Sequence, residues 1–365
     1  MALQDNSRDG SGANTTASRP SDMMPGPDTG GRRGGDAMRV AIVGMGWWGR
    51  TIAQAIADSP ELEAALAIDP EPAGRDAAAK LGLAAEAEFD AALSRTDVDG
   101  VILCSPHRFH AEQIVAAAAA GKHVFCEKPL CTTGEEVVRA VAAVQSAGVV
   151  LGIGHERRFE PAVIELRRRF DSGEFGTILG IEANFSQDKF LALPPDNWRF
   201  SPTEAPAGPL SATGIHLVDL SVALLGRPEA VWARLATRAT HFANGDTLSM
   251  TMAFPGGASA TLTALLTTPF IGRLAVFGSE GWMEIRDRTH PESPTGWDVT
   301  EVLRGKEPVT RFFAPHPAVR DNLEAFARAG RGTSPYPVTA EEMIANVRSF
   351  EAIIRSTVSG GIEPV

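Results

Sequence analysis

Three cysteines in 365 residues (Cys104, Cys126 and Cys131) are too few, and odd in number, to frame a fold. A chain of this length buries enough core without staples, so a reducing, cytoplasmic setting is expected. Long apolar runs are missing as well: Val141 to Val144 and Val149 to Ile153 break at polar residues or glycine, far short of the roughly 20 residues that span a bilayer, and no membrane helix is expected. Positive charge is in deficit. Against 45 acidic residues stand 34 basic ones, a formal net charge of -11, which argues against a nucleic-acid or anionic-membrane partner. No G-x-S-x-G marks a hydrolase nucleophile. Cys104, His107 and His110 stand close in sequence, but without a second cysteine pair or an H-E-x-x-H they make no zinc pattern, and no metal is expected. What is present is the balance of a globular chain, 44% hydrophobic and 22% charged, long enough for two domains.

Residues 1–37 hold one Leu, no Val, Ile or aromatic residue, and clusters of Gly, Ser, Pro and Asp. Such a segment cannot bury enough apolar area to offset the entropy of ordering, so a disordered tail is expected. Arg32-Arg33 invites a twin-arginine export reading, which Gly34-Gly35-Asp36 interrupts where an apolar stretch should follow. From Arg39-Val40-Ala41-Ile42-Val43 onward, strand-like runs (Leu62 to Ile68, Val101 to Cys104, Lys122 to Cys126, Val149 to Ile153) alternate with helical stretches (His110 to Ala120, Gly134 to Ala147). The alternation predicts a doubly wound parallel sheet over residues 38–155. Beyond it the texture changes: a helix from Pro161 to Phe170 precedes strand-like runs near 178–185, 231–238, 248–254, 258–266, 273–277 and 282–285, with helices near 212–225, 318–329 and 340–358. Residues 156–365 therefore read as a second α/β domain with a large, open, mainly antiparallel sheet, whose last helices are free to pack back on the first domain.

Gly44-Met45-Gly46-Trp47-Trp48-Gly49 follows the first strand and opens a helix, the context in which G-x-G-x-x-G has chemical meaning. The first Gly permits a tight turn, the second lets pyrophosphate approach the backbone, and the third lets helix pack on strand. Phosphate then sits at a helix N-terminus. Asp69 closes the second strand 20 residues after Gly49, where a carboxylate accepts both ribose hydroxyls and repels a 2'-phosphate. NAD is the expected cofactor, with Arg75 keeping an NADP reading open.

Cys104-Ser105-Pro106-His107-Arg108-Phe109-His110 and Gly121-Lys122-His123-Val124-Phe125-Cys126-Glu127-Lys128-Pro129 resemble the Gfo/Idh/MocA family (glucose-fructose oxidoreductase, inositol dehydrogenase, rhizopine catabolism). Gly154-His155-Glu156-Arg157-Arg158-Phe159 and Gly214-Ile215-His216-Leu217-Val218-Asp219 extend the resemblance to the C-terminal half. It implies a Rossmann domain followed by an α/β domain whose open sheet carries substrate on one face and an oligomer interface, of a homodimer or homotetramer, on the other. It also implies that Lys128 lies beside the nicotinamide and the substrate hydroxyl, that Glu127 and Pro129 shape the loop, and that Ser105, Pro106 and His110 line the cofactor. A desolvated lysine beside a cationic ring has its ammonium disfavoured, which suits it to proton chemistry. His216 is the second candidate, an imidazole able to take or return the hydroxyl proton; a merely packed histidine is the alternative.

One departure stands out. Sugar and polyol dehydrogenases of this family usually carry an Asp four residues before the histidine, where this chain has Ala212. Thr213 and Ser211 are candidates to replace its hydrogen bonds, and Asp219, one turn beyond His216, has a structural role or a contact with His216 open to it. Arg157 and Arg158 are candidates to clamp an anionic or hydroxylated substrate through their planar donor forks, or else are solvated charges. Trp198, within Asn197-Trp198-Arg199, is a candidate substrate wall. The reading is an NAD-dependent oxidoreductase moving a hydride between nicotinamide and a secondary alcohol or ketone of a small-molecule sugar, polyol or cyclic diol. Its rivals are a dihydrodiol-type dehydrogenase of a carboxylated or aromatic-derived ring, and a dinucleotide-binding sensor without turnover.

Overall fold

The computed structural model describes residues 37–365, so the tail expected up to residue 37 falls, Ala37 apart, outside the described residues. Six strands, β1 (Met38–Val43), β2 (Leu62–Ile68), β3 (Ala85–Glu86), β4 (Gly100–Leu103), β5 (His123–Cys126) and β6 (Leu151–Ile153), pair in parallel in the order β3-β2-β1-β4-β5-β6. Helices α1 (Trp47–Ala55), α2 (Pro72–Lys80), α3 (Asp90–Ser94), α4 (His110–Ala119) and α5 (Gly134–Ala147) connect them. β1 shows why a parallel strand is apolar throughout: Val40 and Ile42 pack with Ile52 of α1 and Ile56 at its C-terminal cap, while Ala41 and Val43 face the layer of Ile114 and Val137 from α4 and α5. The chain reverses direction across the sheet between β1 and β4, and the loops leaving those two strands open the crevice where such sheets bind ligands. α5 has the bounds expected from sequence because both ends are written locally. Thr133 and Glu136 form a capping box, and Gly148 takes the left-handed conformation at φ 66°.

The second sheet joins nine strands: β7 (Ile178–Ser186), β8 (Ala230–Ala236), β9 (Thr247–Ala253), β10 (Ser259–Leu265), β11 (Ile271–Gly278), β12 (Gly281–Asp287), β13 (Trp297–Leu303), β14 (Val309–Phe313) and β15 (Ile362–Pro364). Their order is β14-β13-β12-β11-β7-β10-β9-β8-β15. β7 and β10 run parallel and every other neighbouring pair antiparallel. Alternation decides the faces. Leu248, Met250 and Met252 of β9 and Ala260 and Leu262 of β10 point into a core shared with α6 (Pro161–Asp171), α7 (Ile215–Leu225) and α9 (Ala340–Ser359), whereas Ser249, Thr251 and Thr261 point outward. β13, β14 and β15 were not among the expected strands: β14 is an edge with four of its five residues exposed and β15 has three residues, so neither carries a readable alternation.

α8 (Ala318–Gly330) returns to the first sheet, where Leu323, Phe326 and Ala327 join the core of β1 and α1 and Phe326 meets Phe125 edge-on at 5.6 Å. α9 serves both cores, giving Met343 and Val347 to one and Phe350 and Ile353 to the other. Among the described residues no helix is long and apolar enough to cross a membrane.

Candidate active site

The three motif glycines are needed for different reasons. Gly44 sits at φ +91°, and a Cβ there would lie 2.8 Å from the Cys104 carbonyl oxygen; one on Gly49 would lie 1.9 Å from that of Gly44. Gly46 has nothing within 4 Å of its missing Cβ. It caps α1 without any side-chain acceptor, so the first amides of the helix face open space. Asp69 pins this cradle, its Oδ2 accepting from the Met45 amide at 2.7 Å and its Oδ1 from the Glu71 amide at 2.9 Å. Open glycine, free helix amides and a carboxylate at the end of β2 fit a dinucleotide. Met45 itself is buried in the core, so only its backbone faces the cradle, while Trp47 and Trp48 border the adjoining cleft.

That cleft, about 1050 Å³ with its mouth included, runs between the two sheets. On its first wall His110 is fully enclosed, with Nδ1 2.8 Å from the Pro129 carbonyl oxygen and Nε2 2.9 Å from that of Ser105. It bolts the Ser105-Pro106 loop to the turn that carries Lys128, and Ser105 in turn donates to Gln113 Oε1 at 2.5 Å. Lys128 Nζ donates to the Ala212 carbonyl at 2.9 Å. Burial lowers its pKa, against the pull of Glu156 and Glu127. Glu127 is pushed up to about 7, by burial first and by Glu156 second.

The opposite wall begins with a π-helical turn, Leu210–Gly214, that leads into α7. It delivers His216 into the cleft between Phe185, with ring centroids 5.8 Å apart, and His155, at 6.1 Å. Burial, then Lys128 and His155, drive the His216 pKa well below its usual value, so the imidazole is neutral. Its Nδ1 is buried without a hydrogen-bond partner, 3.9 Å from Glu156 Oε1. Trp198 also lines the cleft, meeting His107 edge-on at 5.2 Å with the Arg199 guanidinium 4.4 Å above its ring.

Several expected contacts are corrected. Arg157 and Arg158 do not line the cleft. Arg157 is fully buried and gives Nη2 to Asp287 at 2.8 Å and Nε to Glu160 at 3.1 Å. Arg158 forks onto both oxygens of Asp219, at 2.7 and 2.8 Å, and reaches Glu342. Carboxylates hold Arg157 through Nε and Nη2 and Arg158 through Nε, Nη1 and Nη2, and the one Arg157 nitrogen without a partner, Nη1, is buried away from the cleft lining. Asp219 is thereby structural. Thr213 lines the cleft, but its hydroxyl donates to the Pro209 carbonyl at 3.4 Å, as that of Ser211 does to Pro206 at 2.6 Å. Neither is a free donor. The charged and titratable lining residues that were missed include Glu156, beside two arginines, Arg199, beside Trp198, and His107, His290 and Glu292. Among the described residues no group of three His, Cys, Asp or Glu gathers as a metal site.

A Rossmann sheet with an open glycine cradle, feeding a cleft against a second, mixed sheet, is the architecture of a nicotinamide-dinucleotide oxidoreductase. Residues 38–155 match the family model described as an oxidoreductase family with an NAD-binding Rossmann fold, and residues 163–284 match that of the GFO/IDH/MocA C-terminal domain. The chain belongs to the Gfo/Idh/MocA oxidoreductase family. It is similar to a D-xylose 1-dehydrogenase (NADP(+)) of Haloferax volcanii, 29% identical over 88% of this chain and 98% of that one. It is similar also to an inositol 2-dehydrogenase of Saccharopolyspora erythraea, 27% identical over 90% and 95%. Among solved structures, the aldose-aldose oxidoreductase of Caulobacter crescentus superposes with a TM-score of 0.80 at 26% identity, covering 90% of this chain and all of that one (100%).

Proposed function

We propose that the protein is an NAD-dependent dehydrogenase that oxidises a secondary alcohol of a sugar, polyol or cyclic diol, or reduces the matching ketone, with Lys128 and His216 handling the proton. The observation that carries this reading is the convergence of Lys128, from the turn after β5, and His216, from α7, on one cleft bordered by the Trp47-Trp48 end of the glycine cradle. NAD bound there supplies the hydride acceptor. Lys128 Nζ donates to the Ala212 carbonyl at 2.9 Å and, at the limit of 3.5 Å, to that of Ser211, and as an ammonium keeps a proton for the substrate oxygen. His216, neutral through burial, is in the state that accepts the hydroxyl proton; with Nδ1 turned to Glu156, Nε2 is the nitrogen left for substrate.

Support for NAD over NADP is the Asp69 carboxylate at the end of β2, where a 2'-phosphate would meet a like charge. Arg75 gives its Nη1 to the carbonyls of Asp69 and Pro70. One observation favours the second reading, a carboxylated substrate: Arg199 lines the cleft and makes no ion pair among the described residues, the Glu292 carboxylate on the same cleft acting on it only at longer range. The outward face of the second sheet, with Thr251, Thr261 and Trp232, suits a second copy of the chain. Unbridged Cys104, Cys126 and Cys131 support a cytoplasmic setting.

The test is NAD reduction by purified protein with D-xylose, inositol, cyclic diols and their carboxylated analogues. Turnover of a neutral polyol supports the first reading, and turnover confined to acids supports the second. Tight NAD binding with no turnover across the panel would replace both with a dinucleotide sensor.

A further inference from the structure

The helix that carries His216 has no free carboxylate for it. Position 212 is alanine, and Asp219 spends both oxygens on Arg158. An imidazole that takes a proton during turnover needs a fixed tautomer before the event and a counter-charge after it, and in acid-base sites a carboxylate on the second ring nitrogen supplies both. Here that nitrogen, Nδ1, is buried and unpartnered. Among the described residues Glu156 is the one carboxylate within 4.0 Å of it, at 3.9 Å. It stands on the short 3-10 turn Glu156–Phe159 after β6, on the same cleft as Ala212. A gap of 3.9 Å exceeds a hydrogen bond, yet acid-base contacts are often long before substrate binds and tighten in the complex.

We propose that Glu156 is the positioning residue of His216, supplying from the turn after β6 the carboxylate that the π-helical turn lacks at Ala212. This rests on the dehydrogenase reading for the reaction it serves, but not for the contact itself. Glu156 holds the proton on His216 Nδ1, leaves Nε2 as the base, and balances the imidazolium once the substrate proton has moved to Nε2. The pair is embedded among charges that face it from each packed element: Lys128 and Glu127 from the loop after β5, Arg157 and His155 beside Glu156, Asp219 from α7, and His290 from the loop after β12. Burial raises the Glu156 pKa and Lys128 lowers it in turn. Its charge acts on Lys128 as well as facing His216, so Glu156 couples the two groups assigned to the proton.

Two measurements test this on the full chain with NAD bound. Nitrogen-15 spectra of histidine-labelled protein report the His216 tautomer, expected as Nδ1–H in wild type and shifted toward Nε2–H in Glu156→Leu, which cannot accept a hydrogen bond. Glu156→Gln should keep the tautomer and move the His216 titration to lower pH, which decides the matter if the Leu variant does not fold. With D-xylose and inositol as probes, Glu156→Gln should lower kcat about 10²-fold with KM changed less than about threefold, and shift the acid limb of kcat/KM to lower pH. Adding Ala212→Asp to Glu156→Gln should recover about tenfold or more, because the carboxylate returns from the other wall. An unchanged tautomer in Glu156→Leu, an unmoved His216 titration in Glu156→Gln, or wild-type kcat and pH profile in Glu156→Gln, overturns the proposal. Wild-type protein that neither binds NAD nor turns over the probes sinks the dehydrogenase reading instead, and the spectra still decide the role of Glu156.

Discussion

Glu156 and Arg157 are neighbours in sequence and both turn inward, but they enter two different kinds of charge cluster. Arg157 meets Glu160 and Asp287, and Arg158 meets Asp219 and Glu342, so two guanidiniums face four carboxylates at hydrogen-bond distance. Glu156 meets Lys128, Glu127 and His216 at longer range; the His216 Nδ1 has no hydrogen-bond partner, and burial raises both carboxyls, that of Glu127 to about 7. The first cluster joins the turn after β6 to α7, α9 and β12. The second leaves its charges incompletely matched at the wall of a cleft. A closed ion-pair network holds elements in place, and an open one retains the free energy that binding and proton transfer draw on.

The sharpest separation of the two clusters is kinetic. Lys128→Ala and His216→Ala should each lower turnover about 10²-fold to 10⁴-fold on a confirmed substrate, with NAD affinity and melting temperature little changed, and the double variant should lose less than the product. Near-normal turnover in His216→Ala would return it to a packing role. Arg157→Met should do the reverse: removing the cation leaves Glu160 and Asp287 buried together, at a cost of about 3–5 kcal/mol, read as a melting temperature lower by about 10 °C with little change in the kcat of the folded fraction. If the kcat of that variant fell as far as that of Lys128→Ala while its melting temperature held, the division between the clusters would fail.

Cofactor choice tests a site outside both clusters. NAD should raise the melting temperature more than NADP at equal concentration, and Asp69→Ser should narrow the gap; equal or reversed shifts in the wild-type protein defeat the NAD assignment. The smallest effect is on pH dependence. Because the Glu127 carboxyl is raised to about 7 in the folded chain, its protonated form stabilises the fold below the unfolded carboxyl range, and that stability is lost as pH rises through about 7. Glu127→Gln, which mimics the protonated form, should therefore raise the apo melting temperature by about 3 °C more at about pH 8 than at about pH 5. A pH-independent difference would show that Glu127 is ionised throughout.

The parts of this protein that could be read without coordinates are those with local causes. β1 announces itself by an apolar run ending in glycine, α5 by a capping threonine and a terminal glycine, and the cradle by three glycines at fixed spacing before a carboxylate, because turn geometry and helix ends are settled within a few residues. Lys128 and His216 were legible through motif context. The partners of the arginines were not. Glu156, Arg157 and Arg158 are three adjacent charges in one turn, and whether each becomes a strut or part of the site depends on Asp287, Asp219 and Glu342, which lie 61 to 184 positions away from Arg157 and Arg158 in sequence. The edge strands β14 and β15 escaped for a related reason: their pairing is supplied by β13 and β8 rather than by any pattern of their own. Local chemistry in the sequence determined the elements and the nucleotide cradle. Only the tertiary structure decided which buried charges are matched, since an ion pair's worth is set by its desolvation and its partner, and neither is written at the residue itself.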